Sequence, residues 1–177
     1  LAAQGHPVGD SRCADEDVET ARRVMSAVQR SRCRVELPHD LLLARTSPGL
    51  DGSESAPHHL DGIDVPRGWA GLDIGPATAA WFAREIGKGG TVFWNGPMGR
   101  FEQPDFAGGT RAVAEAIASA SATTVAGGGE TVEALRTFGL AGEVTHVSTG
   151  GGATLEFLEG RELPGVTVLR TADPAMR

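Results

Sequence analysis

A chain of 177 residues, 40% apolar and 22% charged, is long enough for one domain with a sizeable core and too short for two, and its composition excludes a disordered protein. Its formal net charge of −7 argues against nucleic acid or acidic lipid as a partner, favours a small-ligand site, and comes with no apolar run of about 18 residues to span a membrane. The two cysteines, Cys13 and Cys33, lie in no CxxC or histidine cluster, so zinc and redox motifs are absent and a reduced, cytoplasmic setting fits, with one disulfide between them left open.

The opening LAAQGHPVGD has no basic n-region and no apolar h-region, so it is not read as a signal peptide, and without a methionine it reads as the middle of something larger. In ADEDVETARRVMSAVQRS, Val18, Ala21, Val24, Met25 and Val28 recur at helical spacing and Asp15 stands where a cap is expected. CRVELP and LLLAR predict short strands or one broken strand. From Thr46 to Gly62 the chain is rich in Ser, Gly, Pro and Asp without a period, which predicts a loop.

An alternation follows. Thr78–Ile86 is predicted helical after Pro76, and TVFW at 91–94 a strand; 109–119 is a helix and TTVA at 123–126 a strand; 131–138 is a helix and THVS at 145–148 a strand. Residues 153–158 predict a last helix, and VTVL at 166–169 an edge strand. Repeated strand and helix with short links predicts an α/β fold, a Rossmann-like parallel sheet with helices on both faces.

In such sheets ligands bind beyond the carboxyl ends of the strands. The three segments leaving them are WNGPMGRFE, GGGET and TGGGATLE, and all carry glycine at the exit, whereas the opposite links are plain. One rim of bare backbone donors suggests one polyanionic ligand. STGGGAT offers consecutive N–H groups and hydroxyls to a phosphoryl group, against the plainer reading of a tight turn. In GGGET, Glu130 repels a phosphate unless a cation intervenes; it either complements the helix dipole or holds Mg²⁺, which prefers carboxylates and phosphate oxygens. Asn95 is placed to donate to phosphate oxygens and Glu102 to accept from ribose hydroxyls, unless they form an ordinary turn with a surface acid. His58 and His59 read as solvated, and His146 as a satisfied histidine in a buried strand. No GxxxxGK[ST], GxSxG or HExxH is present, nor a convincing GxGxxG followed by a spaced acid.

GLDIGP at 71–76, WNGPMGRFE, VAGGGET and HVSTGGGATLEFLEGRELPGV occur in that order. Together they resemble the C-terminal, nucleotide-binding part of phosphoglycerate kinases, and the likeness spans almost the whole chain. The resemblance implies that Leu72 lines an adenine pocket, that Asn95 and Pro97 lie along the nucleotide, and that Glu102 bonds the ribose. It implies that Gly127, Gly128, Gly129, Glu130 and Thr131 meet the phosphates of ATP or ADP, with Glu130 assisting Mg²⁺, and that Gly150, Gly151 and Gly152 act catalytically on the phosphoryl group in flight. The implied reaction is reversible transfer from 1,3-bisphosphoglycerate to ADP in glycolysis, which is mostly positioning and charge stabilisation.

Departures accompany the likeness. Glu130 stands where the family typically has aspartate, and one methylene moves the carboxylate by about 1.5 Å. Asp10 stands where the family often has lysine. The phosphoglycerate-binding N-terminal domain of the family has no counterpart in these residues, so residues 1–177 are expected to be a partial C-terminal domain, incomplete at its N-terminal side and inactive alone. The alternative is a non-catalytic or degenerate nucleotide-binding half-domain. A sheet lacking its first strands also predicts exposed apolar surface and association.

Overall fold

A computed structural model describes residues 1–46, 56–148 and 150–172. The first helix, Asp15–Val28 (α1), follows the predicted period, with Val18, Ala21, Met25 and Val28 half-buried and Val24 turned out to solvent. Ala14, not Asp15, occupies its cap position; Asp15, Glu16 and Asp17 instead put charge in the first turn, where the helix dipole favours it.

Three strands then form an antiparallel sheet: Leu41–Arg45 (β1), His58–Leu60 (β2) and Trp69–Ile74 (β3), in the order β2-β1-β3. LLLAR is the predicted strand, but CRVELP is not one. Residues 33–38 find no ladder partner among the described residues; Cys33 N–H donates to Ser31 Oγ, and the Arg34 guanidinium to Glu85. β2 falls within the predicted loop, because β1 offers it an open edge for pairing Leu41↔Leu60 through Leu43↔His58. Residues 47–55 of that predicted loop lie outside the described residues.

The second half carries the predicted alternation: Pro76–Ile86 (α2), Thr91–Asn95 (β4), Gly108–Ala118 (α3), Thr123–Gly127 (β5), Gly129–Thr137 (α4), His146–Ser148 (β6) and Gly152–Leu158 (α5). The strands β4-β5-β6 pair in parallel and are flanked by helices on both faces, the predicted fold class. Trp94, Phe101, Val113, Ile117, Ala126 and Leu135 form its main buried cluster, with Phe82 and Ile86 of α2 packed against it. Each such side chain contributes about 1.5–3 kcal/mol through burial, which sets the sheet and three helices as one rigid support.

Two further expectations are corrected. VTVL belongs to a helix, Pro164–Ala172 (α6): Pro164 opens it, Thr167 N–H donates to Leu163 O, and among the described residues no strand pairs with it to reward β-branched residues. His146 is exposed rather than buried, because β6 ends the order of the parallel sheet. Both cysteines are exposed and unpaired. No helix among the described residues is long and apolar enough to cross a membrane. Along α5 and α6, Leu155, Phe157, Leu158, Val166, Val168 and Leu169 are exposed.

Candidate functional site

The parallel register pairs Asn95 with Gly127 and Gly127 with Ser148, so β4, β5 and β6 end level with one another. The three glycine-bearing loops therefore leave from a single line. They are also tied together. Gly96 N–H donates to Thr131 Oγ1 at 2.6 Å, linking the first loop to α4, and Trp94 Nε1–H donates to Gly96 O at 2.7 Å. Gly128 has φ of 89°, and a Cβ there would stand 2.5 Å from Asn95 Oδ1; only glycine lets the second loop close onto the first. In the third, the hydroxyls of Ser148 and Thr154 are 2.6 Å apart, and Gly150 N–H donates to Ser148 Oγ at 3.3 Å. Residue 149, part of the STGGGAT reading, lies outside the described residues.

Beside this rim is an open cavity of about 830 Å³, bordered by Asp10, Arg12, Leu72, Pro97, Met98 and Arg100 among others. It brings together Leu72, from β3, with Pro97, from the loop after β4, residues 25 positions apart in the chain. Arg100 N–H donates to Leu72 O at 2.9 Å, so the loop runs alongside the end of β3 and the two walls are fixed to each other. Leu72 and Pro97, with Arg12 and Arg100 on the same border, suit a flat, partly apolar ring attached to an anion.

Behind the cavity wall lies an acid that sequence reasoning missed. Asp73 is 3% exposed; it accepts from Gly109 N–H at 2.7 Å and from Ile74 N–H at 2.8 Å. Burial pushes its carboxyl up to about 6, with the two amides pulling the other way. A second buried acid, Asp40, sits below the start of α2, accepting from Thr78 N–H, Thr78 Oγ1 and Ala77 N–H and paired with His59 Nε2 at 2.8 Å. Burial raises it too, but hydrogen bonds from Thr78, His59 and Ala77 prevail and hold it at about 2. His59 is thus anchored rather than merely solvated, and His58 lies tilted against the Trp69 ring. The only trace of these acids in the sequence is an aspartate set between apolar neighbours, LPHDLLL and GLDIGP.

A profile of the phosphoglycerate kinase family matches residues 1–161. The chain belongs to the phosphoglycerate kinase family. It is 48% identical over 174 residues to a phosphoglycerate kinase of Corynebacterium urealyticum, covering 96% of this chain and 41% of that protein. To a phosphoglycerate kinase of Moorella thermoacetica it is 44% identical over 170 residues, 96% of this chain and 42% of the relative. Among solved structures, phosphoglycerate kinase from Coxiella burnetii superposes with a TM-score of 0.86 at 38% identity, covering 96% of this chain and 43% of that one. The chain spans about two fifths of the length of the relatives it matches.

The site residues that the phosphoglycerate kinase resemblance implies fall into two groups. Leu72 and Pro97 border the cavity; Asn95, Glu102, the 127–131 turn and Gly150–Gly152 do not, and lie along the rim or beyond it. Glu102 and Glu130 are exposed, whereas Thr131 is fully buried and spends its hydroxyl on Gly96. Among the described residues no three His, Cys, Asp or Glu side chains gather to cage a metal. The donor set still fits Mg²⁺ carried on a nucleotide, since that ion is usually bound by one or two carboxylates with phosphate oxygens and waters, and Glu130 projects from the first turn of α4 at the rim.

Proposed function

We propose that this chain is the C-terminal nucleotide-binding part of a phosphoglycerate kinase: a half-domain that binds ADP or ATP with Mg²⁺ and, without a phosphoglycerate-binding part, does not turn over. The observation that carries this reading is the level rim. Three glycine-bearing loops leave adjacent parallel strands at one line, beside a cavity whose walls are Leu72 and Pro97.

The adenine enters between Leu72 and Pro97, and Glu102 accepts from the ribose. Asn95 and the backbone of Gly127, Gly128 and Gly129 follow the phosphates, with Thr131 serving from below by holding Gly96. Glu130 would hold Mg²⁺, which when bound offsets phosphate charge against the carboxylate. Gly150, Gly151 and Gly152 present N–H groups to the phosphoryl being transferred, a contribution that needs no reorganisation as charge develops. In the complete enzyme the group moves from the acyl phosphate of 1,3-bisphosphoglycerate to the β-phosphate of ADP, leaving 3-phosphoglycerate and ATP.

Calorimetric titration of the chain with MgADP tests the reading. One-site binding is expected, weakened when Mg²⁺ is chelated, with Glu130→Ala abolishing the effect of the metal and Glu130→Asp retaining it. No heat with either MgADP or MgATP from a folded chain would sink it. Turnover by the chain alone with 1,3-bisphosphoglycerate would show instead that the half-domain is complete.

A further inference from the structure

We propose that Asp73 is a positioning residue for the cavity: its carboxylate holds the first turn of α3, and through Thr110 the wall at residues 97–100, at a fixed height beside Leu72. That the cavity takes a nucleotide rests on the function proposed above; the positioning of its wall does not.

Asp73 does not border the main cavity, so it acts through others. Its Oδ2 accepts from Gly109 N–H, in the first turn of α3. The next residue, Thr110, is fully buried, and its Oγ1 accepts from Met98 N–H at 3.1 Å and Gly99 N–H at 3.2 Å, both in the cavity wall. One covalent step, Gly109 to Thr110, and three hydrogen bonds thus join a buried carboxylate to the cavity surface. The packing around it is equally specific. A Cβ on Gly99 would stand 2.3 Å from Asp73 Oδ1, and one on Gly109 2.4 Å from the same atom, so both glycines leave the space that the carboxylate fills. A smaller residue at 73 would leave a void under the wall, and a larger one would displace it.

Among the described residues burial and two amides, not a charge, set the state of the carboxylate. Arg100 and Glu102 on the loop, Arg111 and Glu115 on α3, and Arg45 on β1 are exposed; Asp40 is taken up by Thr78 and His59; and Leu1, with its α-amino group, borders a smaller cavity that Asp73 also touches. Burial unopposed by charge is what lifts its titration to about 6. Below that pH the acid gains a proton and keeps one good acceptor for two amides, so the staple loosens.

The test follows amide resonances of Met98, Gly99, Arg100 and Gly109 in the full chain between pH 4.5 and 7.5, with MgADP affinity measured at pH 7.5. The four amides are expected to titrate together with a midpoint near 6 and to be flat in Asp73→Asn. That variant is expected to bind MgADP about tenfold more weakly, the effect of one misplaced buried hydrogen bond. In Thr110→Val, which keeps the carboxylate and serves if Asp73→Asn does not fold, Gly109 should still titrate while Met98 and Gly99 become flat. Amides that stay flat in the native chain, or that titrate unchanged in Asp73→Asn, overturn the inference. Amides that behave as expected in a native chain that binds no MgADP uphold the positioning and reject the nucleotide reading.

Discussion

The surroundings of Asp40 and Asp73 make a controlled pair: both carboxylates are almost inaccessible, at 2% and 3%, yet one is held at about 2 and the other pushed to about 6. Burial is the largest influence on each. They differ in depth, Asp73 being surrounded by more protein than Asp40, and in the number and kind of donors. Asp40 receives a hydroxyl, two amides at the start of α2 and an imidazole, while Asp73 receives two amides only. Near Asp40 the fold is stabilised by an ionised acid; near Asp73 it tolerates one.

The comparison is most directly broken by truncation. Asp40→Ala leaves the amides of Ala77 and Thr78 buried without an acceptor and should lower stability by about 4 kcal/mol at pH 7. Asp73→Ala also strands two amides, Gly109 and Ile74, but should cost about 2 kcal/mol less, because it removes a carboxylate whose charge burial disfavours. Equal midpoints in urea for the two variants would end the contrast.

The pH dependence is the next largest effect, and its signs are opposite. Asp40 lies below its ordinary 3.8, so its contribution is present above about pH 4 and lost as pH falls through about 2. Asp73 lies above 3.8, so its contribution is present below that pH and lost as pH rises through about 6. The native chain should therefore give up about 2 kcal/mol from Asp73 between pH 4 and pH 6, a slope that thermal melts of Asp73→Asn should lack. Gly99→Ala should cost about 2 kcal/mol by forcing Asp73 aside, measurable by the same melts. The smallest change belongs to His59→Gln. With its ring half-exposed, loss of the Asp40 pair should shift stability by only about 0.5 kcal/mol.

The rim was legible in the sequence because its signals are local. TVFW, TTVA and THVS are β-rich runs with glycine at each exit, and the parallel sheet makes those exits coincide. VTVL was misread because its β-branched residues carry weight only beside a partner strand, while Pro164 begins a helix unaided. CRVELP failed for the same want of a partner. HHL is too short to announce itself within a polar loop, yet it pairs once β1 exists. The buried acids were least legible. Whether an aspartate between apolar residues faces water or a ring of amides depends on residues 36 to 38 positions away, Gly109 for Asp73 and Thr78 for Asp40.

The close approach of Gly99 and Gly109 to one carboxylate also constrains the order in which this sequence can change. A Cβ on Gly99 would also stand 2.6 Å from Asp73 Cβ, and one on Gly109 2.4 Å from Ile74 Cγ1, so only glycine at 73 would make room for alanine at 99, and no change at 73 alone would make it at 109. With aspartate in place, either alanine arrives into occupied space. Alanine at 99 therefore opens only after the side chain at 73 has gone, and alanine at 109 only after Ile74 has changed as well.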